Sequence, residues 1–295
     1  MKLTTGTSLA IALTASAGAF AETENSPNTR AEIDPVRMQQ IRSATSKITY
    51  GDTTFLIDPM LSAKGDFPGF PATIRSELRN PLVDLTMPIA EVIKGVDAVI
   101  VTHTHTDHWD EAAQKALPKD LPLFVQNASD QEIIRSQGFK DVRVLDGQAE
   151  FGGVTLSKTG GQHGTDEMFA DPEIAKFLGE AMGVVFQAPG QKTLYVAGDT
   201  IWRKDVDDAL AKYRPELIML NTGYAKLVEY KGSIIMGKED VLRASKAAPD
   251  STIIAVHMGA VNHMGLTRDE LREYVKEHGI EDRVEIPEDG ASLEL

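Results

Sequence analysis

A dense run of metal-binding side chains occurs at residues 103–108, which read His-Thr-His-Thr-Asp-His. The apolar segment 98–102 precedes it and predicts a buried strand that ends directly in imidazoles and a carboxylate. Because side chains two positions apart point the same way in extended backbone, His103 and His105 can bind one ion. Asp107 and His108 follow where the chain turns and can face a second ion. Such ligands suit Zn²⁺, Mn²⁺ or Fe, and the alternative interpretation is a surface cluster of histidines.

Further ligand-type side chains lie just after predicted strands elsewhere in the chain. His163 lies in a Gly-Gly-Gln-His-Gly segment, where glycine lets the backbone approach an ion closely, and the alternative is a solvated loop histidine. Asp199 follows an apolar run and a glycine, and capping a helix is a second, compatible role for it. His257 ends another apolar run, with His263 as the rival for the last ligand position. These residues predict a site for two metal ions.

The composition excludes several classes of function. Of 295 residues, 42% are hydrophobic and 25% charged, which predicts a folded protein with a large core. The 30 Lys and Arg are outnumbered by 44 Asp and Glu, and the resulting net charge of −14 argues against nucleic-acid or membrane-surface partners. There is no Cys, so disulfides, thiolate metal sites and cysteine nucleophiles are excluded. His, Asp and Glu are therefore the expected metal ligands.

The N-terminus has the pattern of a cleavable signal peptide. Lys2 supplies a positive charge, residues 9–19 are apolar, and Ala-Phe-Ala at 19–21 is a cleavage motif. The apolar run is shorter than the ~20 residues of a membrane span. We therefore expect cleavage after Ala21 and a periplasmic or secreted protein that has no membrane attachment. The predicted organisation is a signal peptide at 1–21, a flexible mature N-terminus at 22–37 and a single domain at 38–295.

Short runs of β-forming residues recur along the rest of the chain and alternate with helical segments. The runs lie at 98–102, 121–125, 142–145, 154–157, 184–187, 193–197, 217–220, 253–256 and 283–286. Several are apolar throughout, as is typical of strands covered on both faces, and they predict a layered α/β fold. Extended segments at 38–49 and 53–57, joined by a tight turn at Gly51, predict a hairpin.

Helix starts and a long loop can also be predicted. Capping boxes indicate helices that begin at Ser129 and at Thr267, and the second helix is expected to stop at Gly279. Residues 60–90 are broken up by Pro and Gly and predict a long loop with room for one short helix. Loops of this length often form lids or binding surfaces.

The metal-binding residues closely resemble those of the metallo-β-lactamase superfamily of metal-dependent hydrolases. The resemblance rests on His-x-His-x-Asp-His at 103–108, followed by His163, Asp199 and the strand-terminal His257. It covers nearly the whole mature chain and implies a four-layer αββα sandwich of two mixed sheets flanked by helices, with the site at one edge between the sheets. It also implies the ligand sets: His103, His105 and His163 on one metal ion, Asp107, His108 and His257 on the other, and Asp199 bridging both.

Within that superfamily, one branch is most similar in appearance. Leu-Ile-Asp-Pro at 56–59, Gly-Asp-Thr at 198–200 and the spacing from His257 to His263 are similar to the ascorbate-6-phosphate-lactonase-like branch. A sugar-phosphate lactonase would act in the cytoplasm, and an exported chain differs from it in this respect. The substrate of that branch is therefore not carried over to this protein.

The predicted reaction is hydrolysis by metal-bound hydroxide, because two adjacent divalent ions lower the pKa of a shared water towards ~7 and polarise the scissile bond. Asp107 is the candidate catalytic residue that orients the hydroxide and carries a proton to the leaving group. Asp58 and Asp110 are candidates to hold metal-bound imidazoles from outside. The alternatives are a turn role for Asp58 and a helix cap for Asp110.

Three residues are candidates for substrate contacts. Trp109 and Tyr224 could line the pocket, although aromatic residues in such positions also pack in cores. His263 could donate a hydrogen bond to a substrate oxygen, and its alternatives are a role in supporting the ligands or a surface position. The loops at 60–90 and 164–182 are expected to carry specificity.

The predicted function is therefore a dinuclear-metal-dependent hydrolase that cleaves a small ester, lactone, amide or phosphodiester. Zinc is the expected metal, with Mn and Fe as alternatives, and the partner is a small-molecule substrate rather than nucleic acid. Two other functions remain open: an iron-dependent oxidoreductase on the same fold, and a non-catalytic metal- or ligand-binding protein.

Overall fold

The structure is a computed structural model that describes residues 1–3, 6–8, 10 and 35–295. The chain divides into two compact units, Met1–Glu32 and Ile33–Leu295. Most of the predicted signal peptide, and residues 22–34 of the predicted flexible segment, lie outside the described residues. The described residues of the first unit contain no helix or strand, and among all described residues no helix is long and apolar enough to cross a bilayer. The elements below all belong to the second unit.

The strands of the second unit form two seven-stranded sheets within the described residues. The first sheet contains, in spatial order, β14 (Ser292–Glu294), β1 (Arg37–Arg42), β2 (Thr45–Tyr50), β3 (Thr53–Ile57), β4 (Ala98–Val101), β5 (Leu123–Val125) and β6 (Val142–Val144). The second contains β13 (Val284–Glu285), β12 (Thr252–Val256), β11 (Leu217–Asn221), β10 (Leu194–Val196), β9 (Gly183–Gln187), β8 (Val154–Thr159) and β7 (Gln148–Phe151). Both sheets are mixed: β3 to β6 run parallel in one, β10 to β13 in the other, and the remaining neighbours pair antiparallel.

Six of the eight helices in the described residues cover the outer faces of the two sheets, and the fourth and fifth pack with loop residues instead. The helices are α1 (Ile89–Ile93), α2 (Glu111–Ala116), α3 (Ala128–Ser136), α4 (Asp166–Phe169), α5 (Pro172–Leu178), α6 (Lys204–Tyr213), α7 (Lys238–Ala247) and α8 (Arg268–Glu277). Along β4, Ala98 and Ile100 join the core between the two sheets, whereas Val99 and Val101 join the core under α1 to α3. This alternation places apolar side chains on both faces of the strand. A third core lies between the second sheet and α6 to α8, so the predicted four-layer sandwich is confirmed.

Most predicted elements are present, and the differences have local causes. The segment 38–49 is not one strand, because Ser43 adopts a left-handed φ of 58° and a short turn separates β1 from β2. The turn contains no Gly, Pro or Asn, which is why no turn signal was visible. The hairpin at Gly51 is confirmed between β2 and β3. Strand β1 begins one residue before the predicted domain start, and Val36 ahead of it is fully buried.

The two capping predictions had different outcomes. Thr267 caps α8 and Glu270 returns the hydrogen bond to its backbone, so this capping box is confirmed. The box at Ser129 was wrong, because the Asn127 side chain accepts the amide proton of Asp130 and starts the helix one residue earlier than Ser129. Asn and Ser are equally good N-cap residues, and the helix begins after Asn127, which comes first in the chain.

The segment 58–88 contains no helix or strand, and α1 begins at its end. The fully buried Arg42 of β1 holds the two ends of this segment. Its guanidinium donates to the carbonyl oxygens of Met60 (2.9 Å), Ser62 (2.8 Å) and Val83 (2.9 Å). A buried guanidinium with three acceptors of this kind fixes a long loop against a strand, and the loop reaches the site described next.

Candidate metal centre

The ligand-type residues lie at the carboxyl ends of strands from both sheets. His103 follows β4 of the first sheet. Three further residues follow strands of the second sheet: His163 after β8, Asp199 after β10 and His257 directly after β12. Strands β8, β10 and β12 point the same way, so their ends meet at one edge. Six of the seven histidines of the chain gather there, and the remaining one, His278, ends α8.

Three imidazoles form the first cluster. His103, His105 and His163 each place one nitrogen within 4.8 Å of the others. The His103 Nε2 atom lies 3.0 Å from His105 Nδ1, which confirms that the two side chains point the same way from the end of β4. Three nitrogens at this separation match a set of ligands for one borderline metal ion.

Asp107, His108 and His257 form the second cluster, also within 4.8 Å of one another. The Nε2 atoms of His108 and His257 are 3.1 Å apart, and Asp107 Oδ2 lies 3.6 Å from His257 Nε2. His263 is outside this cluster and reaches only to 4.0 Å from Asp107 Oδ2. The geometry therefore favours His257 over His263 as the last ligand.

Asp199 lies between the two clusters. Its Oδ2 atom is 3.1 Å from His108 Nε2 and 3.5 Å from His257 Nε2 on one side, and 3.7 Å from His163 Nε2 on the other. Its Oδ1 atom accepts a hydrogen bond of 2.6 Å from the side chain of Asn221, which fixes the carboxylate. The arrangement suits a carboxylate that bridges two ions.

The outward nitrogens of four imidazoles have hydrogen-bond partners. His108 Nδ1 bonds to Asp58 Oδ2 at 2.9 Å, and His257 Nδ1 lies 2.8 Å from Ser43 Oγ. Backbone carbonyls accept from the other two rings: His163 Nδ1 to Ile234 at 3.0 Å and His105 Nε2 to Phe177 at 2.9 Å. Such outer partners set the tautomer and leave the inward nitrogen free for a metal ion. The residues present therefore fit the metal pair implied by the resemblance.

The electrostatics of the site also fit cations. Burial lowers the pKa of His163 to about 4, and burial with neighbouring imidazoles holds the pKa of His103 well below its usual value. For Asp199, burial raises the pKa, but His108 and His257 outweigh it and hold that pKa well below the usual range. Burial also opposes protonation of His108, yet the carboxylates led by Asp199 hold its pKa well above the usual value. Neutral His103 and His163 beside an ionised Asp199 are in the protonation states that metal binding requires, whereas His108 would have to release its proton when a metal ion binds.

Two local backbone features position the site. Asp58 and His257 adopt left-handed φ angles of 47° and 63°, which are uncommon for residues other than glycine and occur most often at functional sites. Gly198, just before Asp199, has a φ of 69°, and a Cβ there would collide with the carbonyl oxygen of Met182. The chain therefore needs glycine at this point to bring Asp199 into the site.

Asp58 contacts the outward nitrogen of His108, where the prediction that it supports a metal-bound imidazole requires it. Its Oδ1 accepts from the backbone amide of Thr102 at 2.7 Å, while Oδ2 accepts from Thr102 Oγ1 at 2.7 Å and contacts His108. The role arises because β3 and β4 are parallel neighbours and both end at this edge. The carboxylate is thus held in place on the far side of His108.

Replacing Asp58 by Asn is expected to weaken metal affinity by roughly 10- to 100-fold, because His108 loses the charge that orients it and raises its basicity. Competition titration with a chromophoric chelator measures this. Asp97→Asn is the matched control, since this exposed carboxylate caps the start of β3 through the Thr54 amide instead. Equal affinities in the two variants would contradict the role of Asp58.

Other predicted residues have contacts elsewhere. The Oδ2 atom of Asp110 accepts a hydrogen bond from the Ser62 amide, and its Oδ1 atom accepts one from the Ala113 amide. Asp110 therefore caps α2 and holds the loop at 58–88 instead of contacting an imidazole. Trp109 is 3% exposed and packs in the core under α2 and α3, with Nε1 donating to Gln137 at 2.8 Å. Tyr224 packs against the core beneath α6 to α8. Neither aromatic side chain lines the site, because each packs against a hydrophobic core on the outer side of a sheet.

A cavity of about 230 Å³ opens beside the metal-binding residues. Its lining residues are Phe70, Thr73, Thr104, His105, Thr106, Asp107, His163, Phe177, Leu178, Ile234 and His263. Of the three substrate contacts predicted from sequence, only His263 is among them. Phe70 comes from the loop predicted at 60–90. Phe177 comes from 164–182, where the predicted loop was wrong because the segment forms α4 and α5, each with a capped start. Nothing in the local sequence distinguished these two residues. Asn221 was also missed, and its position at the end of β11 is the signal that could have identified it.

Comparison with known proteins identifies the family. A family model described as the beta-lactamase superfamily domain matches residues 53–258. The chain belongs to this superfamily. It shares its sandwich fold with solved metallo-β-lactamase fold proteins. The more specific likeness to the ascorbate-6-phosphate-lactonase-like branch stays a prediction.

Several similar proteins cover most of this chain. UPF0173 protein YddR of Bacillus subtilis strain 168 is 46% identical over 257 residues, which are 87% of this chain and 99% of YddR. A solved structure, described as a possible metal-dependent hydrolase from Veillonella parvula DSM 2008, is 48% identical with a TM-score of 0.88 and covers 88% of this chain and 100% of its own. A second, the isothiocyanate hydrolase from Delia radicum gut bacteria, is 50% identical with a TM-score of 0.85 and covers 88% and 99%. Together with relatives named UPF0173 metal-dependent hydrolases, they identify this chain as a metal-dependent hydrolase.

Proposed function

We propose that this chain hydrolyses isothiocyanates, R–N=C=S, to a primary amine and carbonyl sulfide, at a centre of two divalent metal ions. The observation that carries the proposal is the cavity beside the metal-binding residues. Phe70, Phe177, Leu178 and Ile234 give it apolar walls, while Asp107 and His263 line it with polar groups. An isothiocyanate is small and uncharged, with an apolar substituent and one electrophilic carbon, which suits such a cavity. The 50% identical structure named as an isothiocyanate hydrolase supports the same substrate class.

The side chains that line the cavity argue against some of the other predicted substrates. Among the described residues that line the cavity there is no Lys or Arg. Phosphodiesters and other anions are usually bound by such cations. The cavity therefore favours neutral substrates over the phosphodiesters among the predicted classes, and neutral esters, lactones and amides become the comparison set for the test.

Seven residues would hold the metal ions: His103, His105 and His163 one ion, Asp107, His108 and His257 the other, and Asp199 both. When bound, divalent ions at such a site supply a water of lowered pKa and a positive charge beside the electrophile. Zinc is the expected metal because imidazole and carboxylate ligands suit it.

The residues of this chain supply the binding and the proton transfers. The apolar walls hold the substituent R and exclude bulk water, so that the electrophilic carbon faces the polar side of the cavity. Asp107 lines the cavity, and although burial raises its pKa, the imidazoles of His108, His263 and His257 outweigh burial and hold that pKa below its usual range. Its carboxylate is therefore ionised and can take a proton from the attacking water. Burial lowers the pKa of His263 to about 4, so this imidazole is neutral and can donate one hydrogen bond to the substrate.

The reaction balances without an additional reactant. Water adds across the C=N bond, its oxygen bonding to carbon and one proton going to nitrogen, which gives R–NH–C(=S)–OH. The hydroxyl proton of this acid transfers to sulfur, which gives the thiocarbamic acid R–NH–C(=O)–SH. The C–N bond then breaks as the thiol proton moves to nitrogen through Asp107, and the products are R–NH₂ and carbonyl sulfide. Each turnover consumes one isothiocyanate and one water.

The test uses full-length, metal-loaded protein with benzyl isothiocyanate, and with benzyl acetate and bis(4-nitrophenyl) phosphate as comparisons. We expect one benzylamine for each isothiocyanate consumed, with kcat/KM of about 10⁴ M⁻¹s⁻¹ or more, as is common for enzymes on their own substrates. Turnover of the ester but not of the isothiocyanate would overturn the proposed substrate class. Metal analysis of the same sample should find two divalent ions per chain. A content of iron with no hydrolysis of any of these substrates would favour the oxidoreductase alternative.

A further inference from the structure

One wall of the cavity is a loop that lacks regular secondary structure. We call residues 67–80 the pocket loop. Its ends are joined by two backbone hydrogen bonds between Phe67 and Asn80, of 2.9 Å and 2.7 Å. Two of its residues, Phe70 and Thr73, line the cavity. Because the described loop has neither helix nor strand, its position must come from contacts with the rest of the protein.

Asn262 provides such contacts. This residue is fully buried, and its side-chain amide makes four hydrogen bonds, all of them to the pocket loop. Its Oδ1 accepts from the Phe70 amide at 3.1 Å and from Asn80 Nδ2 at 2.8 Å. Its Nδ2 donates to Thr73 Oγ1 at 2.9 Å and to the Ile74 carbonyl at 2.8 Å. The hydrogen-bonding capacity of the amide is therefore fully used.

The backbone of Asn262 adds two contacts to the same loop. Its amide donates to Asn80 Oδ1 at 2.8 Å, so the two asparagines bind each other in both directions. Its carbonyl accepts from Arg75 Nε at 2.9 Å. The middle and the end of the pocket loop are thus held by one residue that lies more than 180 positions away in sequence.

The neighbouring residue links this arrangement to the site. His263 follows Asn262 directly and lines the cavity from the polar side. The ring of Phe70 packs edge-to-face against the ring of His263, with centroids 4.8 Å apart. Since Asn262 holds the Phe70 amide and is bonded covalently to His263, it fixes the separation of the apolar wall from the polar side.

We propose that Asn262 is a positioning residue that sets the width of the cavity and thereby selects substrates by the size of their apolar group. For the identity of those substrates the proposal rests on the proposed function. A buried polar network that is fully satisfied holds one conformation, and an unpaired member of it is costly. A change at Asn262 should therefore let the wall move without touching the metal-binding residues.

Asn262→Asp tests this with the full-length, metal-loaded protein. The variant is nearly isosteric, but it places an oxygen where Nδ2 donated to Thr73 and Ile74. We expect KM for benzyl isothiocyanate to rise by about tenfold and KM for methyl isothiocyanate to change by less than about twofold, in line with the loss of one or two hydrogen bonds. The kcat values and the metal content should stay close to wild type. Amide hydrogen exchange over residues 67–80 should become faster.

Asn127→Asp is the matched control, because it makes the same chemical change at the N-cap of α3, where Asp serves as well as Asn and where the Nδ2 atom donates to the exposed Glu180 side chain instead of the pocket loop. Should Asn262→Asp fail to fold, Thr73→Val removes the Oγ1 atom, which accepts from Asn262 Nδ2 and donates to the Phe70 carbonyl within the same loop, and Thr73→Ser restores it. The Val variant is expected to reproduce the size-dependent KM change and the Ser variant to recover wild-type selectivity.

The outcomes separate this proposal from the proposed function. Wild-type protein that does not hydrolyse either isothiocyanate overturns the proposed function, and hydrogen exchange of the pocket loop then decides the role of Asn262. Turnover by wild type, with unchanged exchange and an unchanged ratio of the two KM values in the Asn262 and Thr73→Val variants, overturns the positioning role. A uniform KM increase for both substrates would also overturn it, because a purely structural loss has no size dependence.

Discussion

Replacing His163 by Ala is expected to remove bound metal and activity together. The imidazole is buried and its Nε2 atom is one of three nitrogens in the first cluster, so the variant leaves two imidazoles there. Losing one of three neutral nitrogen ligands should weaken binding at this position by a factor on the order of 10³ and lower kcat/KM by at least as much. Elemental analysis after dialysis against a buffered chelator, together with steady-state kinetics on the same samples, measures both effects.

His278→Ala is the matched control for that experiment. It is the same substitution at the histidine outside the site, where Nδ1 contacts the Tyr274 carbonyl at the exposed end of α8. This variant should keep its metal and its rate. A His163→Ala protein that retains two ions and the wild-type kcat would contradict the ligand assignment, because no other described imidazole takes its place in the first cluster.

Replacing Asp107 by Asn is expected to have the second-largest effect, and this effect is on kcat more than on metal content. Asp107 belongs to the second cluster alone, so the three imidazoles of the first cluster keep their ligand atoms. An amide can neither accept the proton of the attacking water nor pass it to the leaving nitrogen, and losing such a group typically lowers kcat by roughly 10²- to 10⁴-fold. We therefore expect kcat to fall by about that factor while more than half of the metal is retained.

Asp110→Asn is the appropriate comparison for Asp107→Asn. This carboxylate lies three residues further along, is equally buried, and accepts backbone amides at the start of α2. Asn also serves as an N-cap, so this variant should keep a kcat near wild type. If both variants lost activity equally, a general disturbance of the segment would explain the result better than proton transfer by Asp107. Rate measurements at saturating substrate, with metal content determined in parallel, distinguish the two explanations.

The two experiments are informative as a pair. A residue that only binds metal should change occupancy and rate in proportion, as expected for His163. A residue that also moves protons should lower the rate more than the occupancy, as expected for Asp107. The contrast does not depend on which neutral substrate is used.

The sequence by itself determined the layered fold and which residues gather at the candidate metal centre. Each ligand-type residue lies at or just after the end of an apolar run, as with His103 after β4 and His257 after β12, and both the run and its end are local features of sequence. Parallel strands align their carboxyl ends, so residues placed at those ends converge whatever the loops do. The alternation of apolar side chains on β4 likewise follows from the twofold period of a strand.

Only the tertiary structure decided what lines the cavity. Trp109 is next to the metal motif in sequence but fills the core under α2, whereas Phe70 and Phe177 reach the site from distant segments. Phe70 lies in a loop without a periodic signal and Phe177 in the short helix α5, and the position of each segment depends on contacts over long separations in sequence. The hydrogen bonds between Asn262 and the pocket loop join residues 182 to 192 positions apart, a distance over which local sequence patterns carry no information.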